Sequence, residues 1–453
     1  FHVIGSIYET DPRETSEFLA TPAVMALFAL GIALFILSWL MLFRSGHRPC
    51  GRSVSIDLRL LMLGPFFVFG FALLLTQFGF RWTEAYPFNV AYKVYKYQTV
   101  VNQASLFRKN SDLNKPEVRG AIYDIKDPFT MLLVIGESER KHSLGLYGYE
   151  RDTTPLLGNL AKYFAGTRFF AFADVLAAAP FTRVSVPSML SMADIQSFSE
   201  IQNFPSVIQI FNAGGFKSFL ASNQAFKGFE NNLVGAFMAD VKERTYLVEN
   251  SKLDEYDENL IEVVERFLED SAPRKFIIVH LAGSHMDYNS KYPEKHNYFK
   301  GRSLKDAYDN TIRYTDFVLG TLVRRLEFRK EPVSLVFCSD HGENLDDSRD
   351  GNYGHGLKPL TRYELQIPLI VWSNQQYERS HSTKLAQLAQ HIDVPVGHDH
   401  ISHTLLGLAG LYAAGYEAKN DISSPSFQRS MRHVIDRNNN LYSEKDLSDL
   451  WAE

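Results

Sequence analysis

Cysteine is nearly absent from the sequence, since only Cys50 and Cys338 occur among 453 residues. Two cysteines cannot build a disulfide framework or a zinc site made of thiolates alone. A basic excess is also missing, because 52 acidic residues outnumber 47 basic ones for a formal net charge of −5. Nucleic-acid-binding proteins normally carry a basic balance or stripe, so we expect no nucleic-acid partner.

Charged residues are completely lacking in two long apolar stretches near the start of the sequence, at residues 24–43 and 60–79. A helix of 20 residues rises about 30 Å, which matches the hydrocarbon core of a bilayer. Two buried core helices are the alternative interpretation, but lengths of this kind favour membrane spans. We therefore predict a transmembrane helix in each stretch.

The short loop between these stretches, residues 44–59, sets the predicted orientation. It contains four arginines and a single acid, Asp57, and loops of this charge lie on the cytoplasmic side. Residues 1–23 then form a periplasmic loop or short helix, and everything after residue 79 is periplasmic as well. We expect a multi-pass inner-membrane protein whose chain continues before Phe1, because that residue is not a methionine.

Residues 80–118 are rich in tyrosine, lysine and arginine, a composition that suits a bridging segment at the membrane interface. Residues 119–453 form the predicted globular domain. Short apolar runs alternate there with longer helical patterns, which is typical of an α/β domain with a mostly parallel sheet.

Polar side chains that can do chemistry follow several of the apolar runs. Glu137 comes after one run, His285 after a second and the Asp340–His341 pair after a third, while His355 lies in the loop before a fourth. Ligands of open α/β sheets bind beyond the carboxyl ends of the strands, so we expect these side chains to converge. Carboxylates and imidazoles suit catalytic zinc. A helix cap and a solvated turn are the alternatives for the separate motifs.

A nucleophile for such a site is supplied by the segment around Thr182. Pro180 suits a first helical turn and would place Thr182 in that turn, close to unpaired main-chain N–H groups. A helix N-terminus favours an anionic nucleophile and phosphoryl oxygens alike. Ser185 lies one turn later and is less well placed, and a plain capping role for Thr182 is the alternative.

The motifs together resemble one known family. The segments at residues 136–157, 180–182, 275–285 and 339–343 are similar to membrane-bound phosphoethanolamine transferases of the sulfatase/alkaline-phosphatase superfamily. The likeness is strongest to the CptA-like branch that modifies lipopolysaccharide core sugars. It extends from the TDPRE segment at Thr10 to about residue 411, and it implies that these two spans are the last of five.

The resemblance implies an α/β/α sandwich of the alkaline-phosphatase type, preceded by transmembrane helices. It also implies that Zn²⁺ is held by Glu137, Thr182, Asp340 and His341. Thr182 would take phosphoethanolamine from the donor phosphatidylethanolamine through a phospho-threonine-type intermediate. The group would then pass to lipopolysaccharide, on a core sugar or on lipid A.

Further site residues are implied by the same resemblance. His285 and His355 match family positions that contact the phosphoryl oxygens or relay the leaving-group proton. Lys227 matches a lysine of the substrate pocket, and Thr10 and Glu14 match residues that face the membrane-lipid head group.

Several alternatives stay open from the sequence. An ungapped match to the polymyxin-resistance type would put Pro180 on the nucleophile, whereas the CptA-like branch has a Pro-aromatic-Thr segment that puts it on Thr182. The alignment of this segment is therefore not fixed, and the choice between Thr182 and Ser185 stays open. The segment at residues 185–188 echoes the sulfatase nucleophile motif, although Met189 stands where that motif needs arginine. A glycerol-phosphate transferase and a non-catalytic lipid-binding relative are the other candidates.

Two further clusters are expected to be structural. His398, His400 and His403 resemble a metal cluster but are expected to belong to a helix start. The acidic group of Asp254, Asp257 and Glu258 is expected to be a solvated helix face.

Overall fold

The structure is a computed structural model of the 453-residue chain. It describes residues 88–113, 116–119, 127–225, 232–248, 255–345, 347, 353–356 and 359–452. The chain consists of two compact units, Phe1–Val100 and Val101–Glu453. Of the first unit, the structure describes residues 88–100, which are helical.

Several sequence predictions lie outside the described residues. They are the segment at residues 1–23, the two spans at residues 24–43 and 60–79, the loop at residues 44–59, and the individual residues Thr10, Glu14, Lys227 and Asp254. Within the described ranges, no helix combines the length and the apolar character that crossing a bilayer requires.

The described part of the chain contains short and long strands, numbered in chain order. They are β1 (Val118–Arg119), β2 (Phe129–Gly136), β3 (Phe169–Ala171), β4 (Val175–Leu176), β5 (Lys217–Ser222), β6 (Glu243–Tyr246), β7 (Arg274–His280), β8 (Val333–Ser339), β9 (Asn344–Leu345), β10 (Tyr353–Gly354), β11 (Leu369–Ser373), β12 (Val396–Gly397), β13 (Tyr412–Ala413), β14 (His433–Ile435) and β15 (Leu441–Ser443).

The α-helices of the same part are numbered likewise. They are α1 (Phe88–Leu113), α2 (Pro155–Tyr163), α3 (Thr182–Leu190), α4 (Val207–Ala213), α5 (Leu233–Met238), α6 (Asn259–Leu268), α7 (Leu304–Glu327), α8 (Arg362–Leu365), α9 (Gln375–His391), α10 (Asp399–Ala409) and α11 (Glu444–Ala452).

A seven-stranded sheet in the order β3-β11-β8-β2-β7-β5-β6 forms the centre of the second unit. Strands β8, β2, β7, β5 and β6 run parallel, whereas β11 is antiparallel to both β8 and β3. The predicted α/β fold with a mostly parallel sheet is therefore confirmed. The antiparallel β11, which lies between β8 and the edge strand β3, makes the sheet mixed, as is common among large sheets.

Both faces of the sheet are covered by helices, and strand β2 shows why. All eight residues of β2 are buried, so its apolar side chains alternate between two cores. Met131 packs in the core that includes side chains of α3, α4, α5 and α10. Leu132 packs in the core that includes side chains of α2, α6 and α7. The result is a three-layered α/β/α domain.

Helix α1 contributes to this domain with its second half. Ala104 and Phe107 are buried, and they lie three residues apart on one helix face. The Phe107 ring centroid lies 4.1 Å from that of Phe237 on α5. The compact unit therefore begins at Val101, before the start at residue 119 that the sequence predicts.

A candidate metal and phosphoryl-transfer site

The candidate site lies at the carboxyl ends of the neighbouring strands β2 and β8. Glu137 follows β2, and Asp340 and His341 follow β8. The Nε2 atom of His341 lies 3.4 Å from Oε1 of Glu137 and 3.4 Å from Oδ2 of Asp340. All three side chains are buried. The parallel pairing of β2 with β8 brings these residues together, because it aligns the two strand ends.

The turn after Glu137 is held in an unusual conformation. Ser138 has φ of 58°, a left-handed value that non-glycine residues adopt at a cost. Its main-chain N–H donates to Oδ1 of Asp340 at 3.1 Å, and its hydroxyl donates to Oε1 of Glu137 at 2.8 Å. The hydroxyl of Tyr308 donates to the Ser138 carbonyl at 2.6 Å. These bonds compensate the strain and fix both carboxylates.

The loop after β7 also contacts Glu137. The main-chain N–H of Ser284 donates to the Glu137 carbonyl at 2.8 Å. Asp257 holds this loop from the other side, since it accepts hydrogen bonds from the N–H groups of Ala282 and Gly283, each at 2.9 Å. The expectation that Asp257 lies on a solvated helix face is wrong, because its side chain is buried and burial raises the pKa of its carboxyl group.

Thr182 reaches the same cluster from helix α3. Its hydroxyl donates to Oε2 of Glu137 at 3.2 Å. Thr182 is the first residue of α3, with Phe181 at the N-cap in an extended conformation. Pro180 therefore precedes the cap rather than occupying the first turn, which differs from the sequence prediction. The first turn still contains Thr182, as that prediction requires.

Ser185 points away from the cluster. Its side chain is fully buried, and its hydroxyl donates to the Ala179 carbonyl at 2.8 Å. Ser188, the second serine of the sulfatase-like segment, donates to the Val184 carbonyl at 2.8 Å. Both hydroxyls are thus engaged by main-chain oxygens before and within α3, and Thr182 is the hydroxyl that this helix presents to Glu137.

Two more histidines complete the site. The ring centroid of His355 lies 4.2 Å from that of His341 and 5.9 Å from that of His285. The Nδ1 atom of His355 donates to Oε2 of Glu343 at 2.9 Å. Burial lowers the pKa of the His355 imidazole, but the carboxylates of Glu343, Asp340 and Glu364 together raise it above its usual value.

The donor set of Glu137, Asp340 and His341 fits a divalent metal such as zinc. Candidate ligand atoms of the three side chains lie within 4.8 Å of one another. Among the described residues, Oδ2 of Asp340 and Nε2 of His341 have no hydrogen-bond partner although both are buried. Unpaired buried polar atoms are costly, and a metal would satisfy both.

The protonation of His341 agrees with this fit. Its Nδ1 atom donates to the Gly342 carbonyl at 2.8 Å, which leaves the lone pair of Nε2 directed at the two carboxylates. Burial, together with the neighbouring His355, holds the pKa of His341 well below its usual range. A neutral imidazole is the form that binds zinc.

The histidines of residues 398–403 make structural hydrogen bonds, as the sequence predicts. His398 accepts from the main-chain N–H of Ala178 through Nδ1 at 3.1 Å and donates to the Ser339 carbonyl through Nε2 at 3.0 Å. Nδ1 of His400 accepts from the N–H of Gly397, and Nδ1 of His403 accepts from the N–H of Glu417.

Three residues of the site region were missed by sequence reasoning. Asp257, Tyr308 and Tyr288 are 25 to 170 residues away from the groups that they contact. No local motif marks them, because a single tyrosine or aspartate has the same appearance in the sequence whether its side chain is exposed or buried.

Comparison with known proteins identifies relatives of this arrangement. A family model described as Sulfatase matches residues 130–411. The chain is 26% identical over 475 aligned residues to phosphoethanolamine transferase EptC of Escherichia coli (strain K12), which covers 99% of this chain and 81% of that protein.

Solved structures agree with the sequence comparison. The periplasmic domain of EptC from Escherichia coli, in complex with Zn, superposes with a TM-score of 0.67 at 27% identity over 73% of this chain and 96% of that one. The integral membrane protein lipooligosaccharide phosphoethanolamine transferase A (EptA) from Neisseria meningitidis has a TM-score of 0.73 at 22% identity, covering 92% of this chain and 81% of that one. The latter likeness supports the fold.

Proposed function

The chain belongs to the sulfatase family, and from this premise we propose that it transfers phosphoethanolamine from phosphatidylethanolamine to lipopolysaccharide. The resemblance to phosphoethanolamine transferases of this superfamily is confirmed, because a relative so named aligns with nearly the whole chain. The chain is accordingly an enzyme of that group. The donor, the acceptor and the residue roles are the proposal.

One observation carries the proposal. The Thr182 hydroxyl donates to Glu137 at 3.2 Å, at the edge of a buried cluster that has two carboxylates and a neutral imidazole. Thr182 is partly exposed, whereas Glu137 is buried. A hydroxyl group that a substrate can reach beside a metal-binding cluster is the arrangement that covalent phosphoryl transfer requires.

Zinc is the metal that we propose for this cluster, with Glu137, Thr182, Asp340 and His341 as its ligands. The zinc complex of the EptC domain and the fit of the donor set support this choice. When bound, zinc supplies Lewis-acid chemistry that lowers the pKa of a neighbouring hydroxyl and neutralises phosphoryl charge.

Each residue of the site has its own role in the proposed transfer. The Thr182 oxygen attacks the phosphorus of the donor as its proton passes to Glu137, to which the hydroxyl donates, and the bond from phosphorus to the diacylglycerol oxygen breaks. His355 or His285 gives the departing oxygen its proton, so that diacylglycerol leaves and phosphoethanolamine remains on Thr182. A hydroxyl or phosphate oxygen of lipopolysaccharide then attacks the same phosphorus and releases Thr182. In this second step the deprotonated histidine takes the proton of the attacking acceptor group, and Glu137 returns its proton to the Thr182 oxygen.

The N-terminus of α3 assists both steps. Thr182 is the first residue of a nine-residue helix, and the unpaired N–H groups there favour the negative charge that develops on the phosphoryl oxygens. Positioning and electrostatic stabilisation carry most of the catalysis in phosphoryl transfer, so the site needs few other groups.

The sulfatase-type alternative has less support. Its nucleophile would be Ser185, which is buried and donates to the Ala179 carbonyl. A non-catalytic lipid-binding relative would have no need to retain Glu137, Asp340 and His341 around a reactive hydroxyl. A glycerol-phosphate transferase differs in the donor head group, so that alternative is an outcome of the experiment below.

The proposed location follows from the sequence and the relatives. We place the protein in the inner membrane with its catalytic domain in the periplasm, as the arginine-rich loop at residues 44–59 predicts. The relatives include an integral membrane protein and a periplasmic domain. This location gives the site access to the outer-leaflet donor lipid.

The test is mass spectrometry of lipopolysaccharide from cells with and without the full chain. We expect a gain of one phosphoethanolamine unit, whose position on the core or on lipid A identifies the acceptor. Thr182→Ala should lower the rate of phosphoethanolamine transfer by at least about three orders of magnitude, so that the modified lipopolysaccharide is no longer detected. Removal of a covalent nucleophile is among the most damaging changes to an enzyme.

Ser185→Ala is the matched control in the same helix. It removes one buried hydrogen bond and should cost about 1 kcal/mol of stability while activity per folded molecule persists. A glycerol-phosphate gain, or loss of activity in Ser185→Ala but not in Thr182→Ala, would contradict the proposal.

A further inference from the structure

Glu343 is a buried carboxylate that the reaction proposed above does not use. Its side chain has no solvent exposure, and both of its oxygens are hydrogen-bonded. Oε2 accepts from Nδ1 of His355 at 2.9 Å, and Oε1 accepts from the hydroxyl of Tyr288 at 3.0 Å. Burying a carboxylate is costly unless it is paired, so these two contacts account for its charge in the interior.

The main chain holds Glu343 and His355 opposite each other. Strands β9 and β10 pair antiparallel, with Asn344 opposite Gly354. Continuing this register by one position places residue 343 opposite residue 355. The distance between the two side chains is thus set by a strand ladder and not by a chance meeting of long side chains.

The contact selects which nitrogen of His355 is available to a substrate. A carboxylate can only accept, so Nδ1 of His355 carries the proton in the shared bond. Nε2 is then the ring nitrogen left for the site, and the ring lies 4.2 Å from that of His341, centroid to centroid. Hydrogen bonds of this kind to histidines of active and metal sites fix both tautomer and ring orientation.

We propose that Glu343 is a positioning residue that acts through His355, holding its Nε2 atom toward the transferred phosphoryl group, with Tyr288 fixing the carboxylate in turn. This inference rests on the proposed function. It assigns to Glu343 no contact with the substrate and no metal.

The test measures transfer from phosphatidylethanolamine by the full chain in mixed micelles. Glu343→Ala should lower kcat by roughly 10- to 100-fold, as losses of such supporting partners do, with little change in KM for the donor. Glu343→Gln should restore most of that loss, because the amide oxygen still accepts the bond from Nδ1 of His355. Tyr288→Phe should have a smaller effect, since it leaves the bond to His355 intact.

A double-mutant cycle separates positioning from a general structural effect. In a His355→Ala background, Glu343→Ala should cause no further loss of kcat, because the group that it orients is gone. Asp316→Ala is a control matched in burial: Asp316 caps α2 by accepting from the N–H groups of Leu156 and Leu157. It should lower the melting temperature but not kcat.

Four results would overturn the inference. The first is an equal loss of kcat in Glu343→Gln and Glu343→Ala, and the second is a double variant in which the kcat losses of Glu343→Ala and His355→Ala add in full. The third is a loss of kcat in Asp316→Ala as large as that in Glu343→Ala. The fourth is a fall in bound metal in Glu343→Ala, which would make Glu343 a metal ligand. A wild-type chain that transfers no phosphoethanolamine would overturn the proposed function itself, which is a separate and recognisable failure.

Discussion

His398 connects the two segments that deliver the nucleophile and the metal-binding pair. It accepts from the N–H of Ala178, four residues before Thr182, and donates to the carbonyl of Ser339, directly before Asp340. The bond that Nδ1 accepts needs a neutral imidazole, and burial lowers the pKa of His398 from its ordinary 6.5 to about 4. A histidine that cannot protonate is therefore part of the scaffold of the site.

This lowered pKa predicts a pH effect on stability. Between pH 6.5 and 4 the unfolded chain protonates at this residue and the folded chain does not, so the folded state loses stability as the pH falls. His398→Gln preserves an acceptor and a donor but cannot titrate. It should reduce the dependence of the free energy of unfolding on pH by up to about 1.4 kcal/mol per pH unit in this window.

Denaturant unfolding of residues 101–453 across this pH range gives the measurement. In a separate thermal unfolding experiment near neutral pH, the melting temperature of His398→Gln should differ little from that of the unchanged protein, because glutamine can make both hydrogen bonds. An unaltered pH slope in His398→Gln would mean that His398 titrates normally in the folded protein.

At the scale of an element, the loop after β7 is fitted closely to the turn after β2. Gly283 has φ of 52°, and a Cβ atom placed on it would lie 2.7 Å from the carbonyl oxygen of Glu137 and 2.9 Å from its nitrogen. Neither atom can move without shifting the main chain that carries this carboxylate. The loop thereby braces a proposed metal ligand.

Gly283→Ala should therefore lower zinc affinity by about tenfold or more, as the loss of supporting contacts around metal ligands does. Gly148→Ala is the matched control, because Gly148 has φ of 93° but no atom within 4 Å of the added Cβ. It should cost only the left-handed strain, about 1–2 kcal/mol. Zinc titration of both variants, with their melting temperatures, distinguishes them, and equal zinc affinity would show that the loop is not a brace.

The elements that were predicted correctly are those with a local signal. Strands β2, β7 and β8 are apolar runs that end at polar residues, and parallel pairing sends such ends to one edge of the sheet. Glu137, His285 and Asp340 could be placed near one another for this reason. Thr182 was placed by the rules for a helix start, although Pro180 precedes the N-cap residue Phe181 and lies outside the first turn.

The parts that were missed depend on contacts between distant segments. Asp257 holds a loop that follows it by 25 residues, and Tyr288 reaches Glu343 across 55 residues. The sequence pattern around Asp257 is acidic and helical, which is typical of a solvated face. The tertiary fold buries this carboxylate beside the N–H groups of Ala282 and Gly283, which donate to it.

At the scale of the whole molecule, the compact unit of residues 101–453 contains all of the described site residues. Its core includes Ala104 and Phe107 of helix α1. A soluble domain should therefore begin at about Val101, since starting at residue 119, the predicted domain start, would remove Phe107 and expose the ring of Phe237.

We expect the domain of residues 101–453 to fold, to bind zinc and to cleave a short soluble phosphoethanolamine ester slowly, because Glu137, Thr182, Asp340 and His341 all belong to it. It should transfer poorly from phosphatidylethanolamine in a bilayer, since the proposed spans and the head-group residues Thr10 and Glu14 are absent from it. A carboxylate such as that of Glu14 can pair with the ethanolamine ammonium at a partly desolvated interface. The experiment compares the rates of three proteins on both substrates: the full chain, the domain, and the full chain carrying Glu14→Ala. Glu14→Ala should lower the rate on bilayer lipid and leave the rate on the soluble ester unchanged. Equal rates of the full chain and the domain on bilayer lipid would show that residues 1–100 act only as a tether.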